Sequence, residues 1–149
     1  KIPVLELDDG TCLWESNAIL NYLADGSEFL PSEPRLRTQV LQWQFFEQYS
    51  HEPYVAVARF IQLFQGMPEA RREEHARCLA LGYKALKVME KQLERTPSLV
   101  GEQYSIADIA LYAYTHVADE GGFSLEAFPA IRAWLDRVAS HPRHVTMLG

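Results

Sequence analysis

The hydrophobic pattern opens with two short strand-like runs and becomes helical after Glu15. Ile2 to Leu7 is brief and apolar, Asp8-Asp9-Gly10 is a turn signal, and Thr11 to Trp14 is a second short run. This spacing predicts a β-hairpin. Pro3 cannot donate a ladder hydrogen bond, so it belongs at an edge, at a bulge or in a cis peptide. From Ser16 to Ala24, the residues Ala18, Ile19, Tyr22 and Leu23 recur at helical spacing until Asp25-Gly26 stops them. The following stretch through Pro34 (DGSEFLPSEP) holds Gly, Ser and two prolines and reads as a linker.

Everything beyond it is helical in period. Leu36, Val40, Trp43, Phe46 and Tyr49 begin an apolar stripe that resumes at Ala56, Phe60 and Leu63. Pro53 is expected to kink or break it between Tyr49 and Ala56. After Gly66-Met67-Pro68 a second long helix is expected from about Glu69 to Arg95, with Leu79, Tyr83, Leu86, Met89 and Leu93 on one face. Ser105-Ile106-Ala107-Asp108 is the clearest local signal. It is a capping box, with Ser105 as N-cap, Asp108 in place of the usual Glu, and Tyr104 and Ile109 at the staple positions. The helix it starts is apolar nearly all round and should be buried at the centre. Gly121-Gly122 breaks the chain, and Pro129 starts a last amphipathic helix that ends near His141-Pro142.

The resulting class is α+β, mostly α. A hairpin and one helix occupy residues 1–26, a linker residues 27–34, and an all-helical domain residues 35–149. A two-stranded hairpin with one helix is marginal alone in water, so the first segment must lean on something else. The opening on Lys1, inside a strand pattern and without Met, reads as a chain lacking its N-terminal part.

Composition narrows the function. With 149 residues, 48% of them hydrophobic, the chain can bury one sizeable core. A net charge of -6 excludes a general nucleic-acid binder, because no basic patch exists to release phosphate counterions. No apolar run approaches the ~18 residues of a membrane span, so no membrane partner is expected. Cys12 and Cys78 lack CxxC spacing, and two free thiols suit a reducing cytoplasm. Cys12, in the second strand, reads as a small buried hydrophobe. No metal is expected. The five histidines show no ligand spacing on one helix face, Pro142 interrupts the nearest pair (His141 and His144), and solvated or locally bonded rings are anticipated.

The candidate chemistry lies at Glu15-Ser16, where a carboxylate and a hydroxyl open a helix. That pair suits a small zwitterionic peptide. The acid pairs with an ammonium group, while the hydroxyl and first-turn amides hold a carboxylate. Tyr49 and Tyr54 flank the Pro53 break and are the candidates for an apolar pocket. Asp108 reads as structural.

Four pieces, in order, make the chain resemble the glutathione transferase family. Lys1-Ile2-Pro3-Val4-Leu5 resembles the third strand of that family's thioredoxin-like domain, with its cis-proline at Pro3. Glu15-Ser16-Asn17-Ala18-Ile19 resembles the start of its third helix. Ser105 to Asp108, and Phe128-Pro129 through Trp134 to Pro142, resemble its buried and closing helices. The resemblance implies that residues 1–26 are the C-terminal half of a glutathione-binding domain. Glutathione would then be the cosubstrate of a small hydrophobic electrophile, in a cytoplasmic homodimer.

By the same resemblance, the Ile2 backbone pairs with the cysteinyl part of glutathione, Glu15 accepts from the γ-glutamyl ammonium, Ser16 holds the γ-glutamyl carboxylate, and Lys1 lies near the glycyl end. The Ser, Tyr or Cys that stabilises the thiolate would precede Lys1, so no catalytic residue is assigned. Two other readings stay open: a transferase-like assembly module, as in some translation factors, and a glutathione-dependent disulfide reductase. The chain as given is expected to conjugate glutathione to an activated aryl halide far more slowly than its full-length parent. Equal turnover of the two in a side-by-side assay would contradict this.

Overall fold

The computed structural model describes residues 2–146. Its elements are strands β1 (Val4–Glu6) and β2 (Cys12–Trp14) and helices α1 (Ser16–Ala24), α2 (Pro34–Phe46), α3 (Glu52–Arg59), α4 (Arg72–Leu93), α5 (Ile106–Thr115) and α6 (Pro129–Ala139). The strands pair antiparallel with Val4 opposite Trp14, Leu5 opposite Leu13 and Glu6 opposite Cys12. The turn closes through Leu7 N–H to Thr11 O and Gly10 N–H to Leu7 O, both 2.9 Å, with Gly10 at φ +82°. Alternation on this ribbon points Leu5 and Leu13 inward and their neighbours outward. Cys12 is therefore exposed, against the expectation of a buried hydrophobe. The strands are also shorter than the apolar runs suggested, and Ile2-Pro3, a cis peptide, precedes the ladder.

The segment between α1 and α2 packs rather than dangles. Leu30 is buried, Phe29 meets Tyr104 edge-on, and the Phe29 carbonyl accepts from Ile106 N–H at 3.0 Å. Glu33 then caps α2 by accepting from Arg35 N–H and Leu36 N–H, with Pro34 in the first turn.

Pro53 does not break the long apolar stripe. A π-helical turn over Glu47–His51 leads straight into α3, whose first turn contains Pro53. A first-turn residue has no in-helix acceptor for its N–H, so proline is tolerated there. A second π-helical turn, Phe60–Phe64, ends the run.

The core lies between α3, α4, α5 and α6, with Leu86, Met89, Leu111, Ile131 and Trp134 fully buried. Gly82 is required on α4, because a Cβ there would stand 2.5 Å from the Phe123 ring. The Asp108 carboxylate organises the start of α5. Oδ2 accepts from Ser105 N–H at 2.9 Å and Ser105 Oγ at 3.1 Å, while Oδ1 accepts from Leu99 N–H and Trp134 Nε1, both at 2.9 Å. Ser105 Oγ in turn accepts from Ala107 N–H at 3.3 Å. Burial pushes the Asp108 carboxyl up, against the pull of these donors.

Two contacts were not legible from local sequence. Glu90 reaches from α4 to accept from Ala130 N–H and Ile131 N–H, capping α6 where Phe128 offers no side-chain cap. His51 is 0% exposed, and its Nε2 lies 2.9 Å from Thr115 Oγ1. The Thr115 hydroxyl donates to Leu111 O at 2.6 Å, so His51 Nε2–H is the donor and Nδ1 has no partner among the described residues.

Ser105→Ala lowers stability in urea by about 1–2 kcal/mol, and Asp108→Ala by roughly 3 kcal/mol or more, because it orphans several buried donors at once. Burial also holds His51 down to about 4 from 6.5, so the stability of its neutral ring is complete above 6.5 and is lost as pH falls toward 4. Urea titrations across that window, wild type against His51→Met, should show a difference on the order of 3 kcal/mol in pH dependence.

Candidate functional site

A cleft of about 1120 Å³ separates the hairpin and α1 from the helices. Ile2, Pro3, Val4, Cys12 and Trp14 line it from the ribbon, and Glu15, Ser16 and Asn17 from the mouth of α1. Opposite stand Glu47, Gln48 and Glu52, while Ile109, Ala110, Ala113 and Tyr114 of α5 form an apolar wall. Ile2, Pro3, Glu15 and Ser16 are thus brought to one cavity. Lys1 lies outside the described residues.

Glu15 holds φ +69° and ψ 117°, a conformation rare for a residue with a Cβ. Such strain costs about 1–3 kcal/mol and persists where surrounding structure imposes it, often at binding sites. Although Glu15 is the N-cap of α1, its side chain makes no capping bond. The carboxylate therefore remains available to a ligand. Beside it, the first-turn amides of α1 lack in-helix acceptors, and the Ser16 hydroxyl stands among them. The mouth of α1 thus offers both a negative group and an anion-binding end of a helix.

The opposite wall is more enclosed. Glu47 is buried and accepts at Oε2 from Asn17 Nδ2 at 3.0 Å and Gln48 Nε2 at 2.7 Å. Burial raises its carboxyl above the ordinary range, the two amide donors pull it down, and the nearby Glu52 charge raises it again. Tyr114, which lines the cleft, is pushed up by burial and by the Glu52 and Glu47 charges, so its hydroxyl stays protonated at neutral pH. Among the described residues the lining holds three carboxylates and neither lysine nor arginine.

Tyr49 and Tyr54 are not brought to this cleft. Tyr49 is 83% exposed on the π-helical turn, and Tyr54 packs against the core. The aromatic group of the lining wall at that end is Tyr114, hidden from sequence reading because the α5 helix is apolar on nearly every face. Cys12 also lines the cleft. Ser105 and Asp108 stand apart from it, within the capping network. No group of three metal-ligating side chains occurs among the described residues, and none of their helices is long and apolar enough to cross a membrane.

Comparison with known proteins places this geometry in context. Residues 43–142 match the family model for the glutathione S-transferase C-terminal domain, and residues 1–25 match that for the N-terminal domain. A crystal structure of a glutathione S-transferase from Pseudomonas fluorescens Pf-5 is 80% identical and superimposes with a TM-score of 0.99, over 100% of this chain and 74% of that one. A sphingomonad glutathione S-transferase complexed with glutathione is 29% identical, with a TM-score of 0.80 over 95% of this chain and 69% of that one.

Two curated relatives are similar at 33% identity. One is the disulfide-bond oxidoreductase YfcG of Escherichia coli K12, over 87% of this chain, and the other is elongation factor 1-gamma of Danio rerio, over 100%. The chain spans 60% and 34% of the lengths of these two proteins. With the helical-domain model matched across most of its length and the same fold reproduced at high identity, the chain belongs to the glutathione S-transferase family.

Proposed function

We propose that the cleft binds glutathione and presents its sulfur to a small hydrophobic electrophile. The observation that carries this reading is the pairing, in one cavity, of an uncapped Glu15 carboxylate with the Ser16 hydroxyl at the start of α1. The γ-glutamyl end of the tripeptide carries an ammonium and a carboxylate on one carbon. Glu15 takes the first, and Ser16 with the α1 amides takes the second. The outward backbone at Ile2-Pro3 pairs with the cysteinyl part as an added strand. Lys1, by the family resemblance, serves the glycyl end.

The cosubstrate lies against Ile109, Ala113 and Tyr114. In the reaction the glutathione thiol loses its proton to solvent, the thiolate forms a C–S bond with the electrophile, and the leaving group departs with the electrons of the broken bond. Tyr114 is placed to donate to that departing or polarised group.

A homodimer fits the stripe Leu41, Phe45 and Tyr49, which recurs every four residues and is exposed among the described residues. Tyr49 is then a contact between copies rather than a pocket residue. The cytoplasm suits the two unpaired cysteines.

Similarity to a disulfide-bond oxidoreductase favours one second reading, in which the same bound thiolate attacks a disulfide instead of carbon. Parallel assays of the complete gene product with an activated aryl halide and with a small disulfide distinguish the two by which substrate turns over. Calorimetry should detect glutathione binding to the wild type. Ser16→Ala and Glu15→Gln should each weaken it by about tenfold or more, the loss expected for a hydrogen bond to a charged group. Absence of heat with the wild type would refute the glutathione reading.

A further inference from the structure

Asn17, the residue after Ser16, lines the cleft from α1 and bridges it to the Gln44–Glu47 segment opposite. Asn17 Nδ2 donates to Gln44 O at 3.3 Å and to Glu47 Oε2 at 3.0 Å. One turn later Asn21 Nδ2 donates to Asn17 O and to Gln44 Oε1, both at 2.7 Å. The acceptors sit where α2 passes into its π-helical turn. There Gln44 O already accepts from Glu47 N–H, three residues ahead. Gln44 and Glu47 are 3% and 4% exposed.

We propose that this Asn17–Glu47 clasp is a positioning device for glutathione: it fixes the α1 mouth, and with it Glu15 and Ser16, against the helical domain. The inference rests on the glutathione reading above. A small hairpin-and-helix unit has little apolar area of its own with which to hold a register. These part-buried side-chain amides link it to α2 and its π-helical turn, beside the exposed Arg37–Asp25 ion pair, and Asn17 is the immediate chain neighbour of Ser16. A shift of about 1 Å in a binding group is enough to lose most of the benefit of its alignment.

The carboxylate is a costly way to build a merely structural contact. Burial raises the Glu47 carboxyl, so its charged form detracts from stability at neutral pH, and that cost disappears as pH falls through its titration. The groups facing it are Glu52 of α3, whose charge adds to the cost, Tyr114 of α5, and the amides of Asn17 and Gln48. A neutral acceptor would be cheaper, yet it would grip Asn17 less firmly than a charge-assisted bond.

The test measures glutathione affinity by calorimetry and melting temperature by circular dichroism on the complete gene product. Asn17→Ala should weaken affinity by about fivefold to tenfold, with kcat at saturating glutathione changed less than twofold. Glu47→Gln should melt higher than the wild type at neutral pH and still bind glutathione more weakly, by an amount between those of the wild type and Glu47→Ala. Asn17→Ala with Glu47→Ala should bind no more weakly than the worse single variant, since each removes the same link. Unchanged affinity in Asn17→Ala, or strictly additive losses in the double variant, overturns the clasp while leaving the glutathione reading intact. Absence of binding by the wild type overturns both. Should Glu47→Ala fail to fold, the Asn17→Ala and Glu47→Gln pair decides alone.

Discussion

Four donors converge on the two oxygens of Asp108, and the arrangement of the helical domain depends on that convergence. A carboxylate at 0% exposure is expensive unless its lone pairs are satisfied. Here the backbone at Leu99, the N-cap Ser105 and the indole of Trp134 supply that satisfaction from three segments. The loop before α5, α5 itself and α6 are thereby locked to one another. Because α5 also forms the apolar wall of the cleft through Ile109, Ala110, Ala113 and Tyr114, a structural acid sets the position of the candidate site's wall without lining it.

The opposite side of the cleft is built on a different principle. The hairpin buries little, since only Leu5 and Leu13 of its strands face inward. Directional contacts therefore carry more of the work: Asn17 and Asn21 reach to Gln44 and Glu47, while Ile19 and Ala24 bury the inner face of α1. One wall is rigid through packing and a saturated carboxylate. The other is held by a few hydrogen bonds. A ligand that spans the two adds contacts where the protein alone has fewest, which fits the glutathione binding proposed for the cleft.

Electrostatics gives the cleft a polarity. Glu15, Glu47 and Glu52 line it, and so does Ser16 at the start of α1, where first-turn amides lack in-helix acceptors. Negative side chains and a positive helix end in close proximity match a zwitterion better than a simple anion. Glu47 and Tyr114 are both perturbed first by burial and then by neighbouring acids, so the far wall is drier than the mouth.

Signals that act within a few residues were decisive in the sequence itself. The capping box at Ser105–Asp108, the Asp8-Asp9-Gly10 turn, the Glu15-Ser16 helix start and the apolar stripes of α4 and α6 follow from local hydrogen bonding and periodicity, and they determined the fold class and the mouth of the cleft. Tertiary structure decided what depends on distant partners. His51 meets Thr115 at a separation of 64 positions, Glu90 caps a helix 41 positions away, and Asn17 finds Glu47 across 30. It moved the aromatic wall from Tyr49 and Tyr54 to Tyr114, exposed Cys12, and met the expected kink or break at Pro53 with a π-helical passage into α3. The reason is physical: periodicity tells which face of an element is apolar, whereas burial, pairing and the cost of a charge depend on what the fold brings against that face.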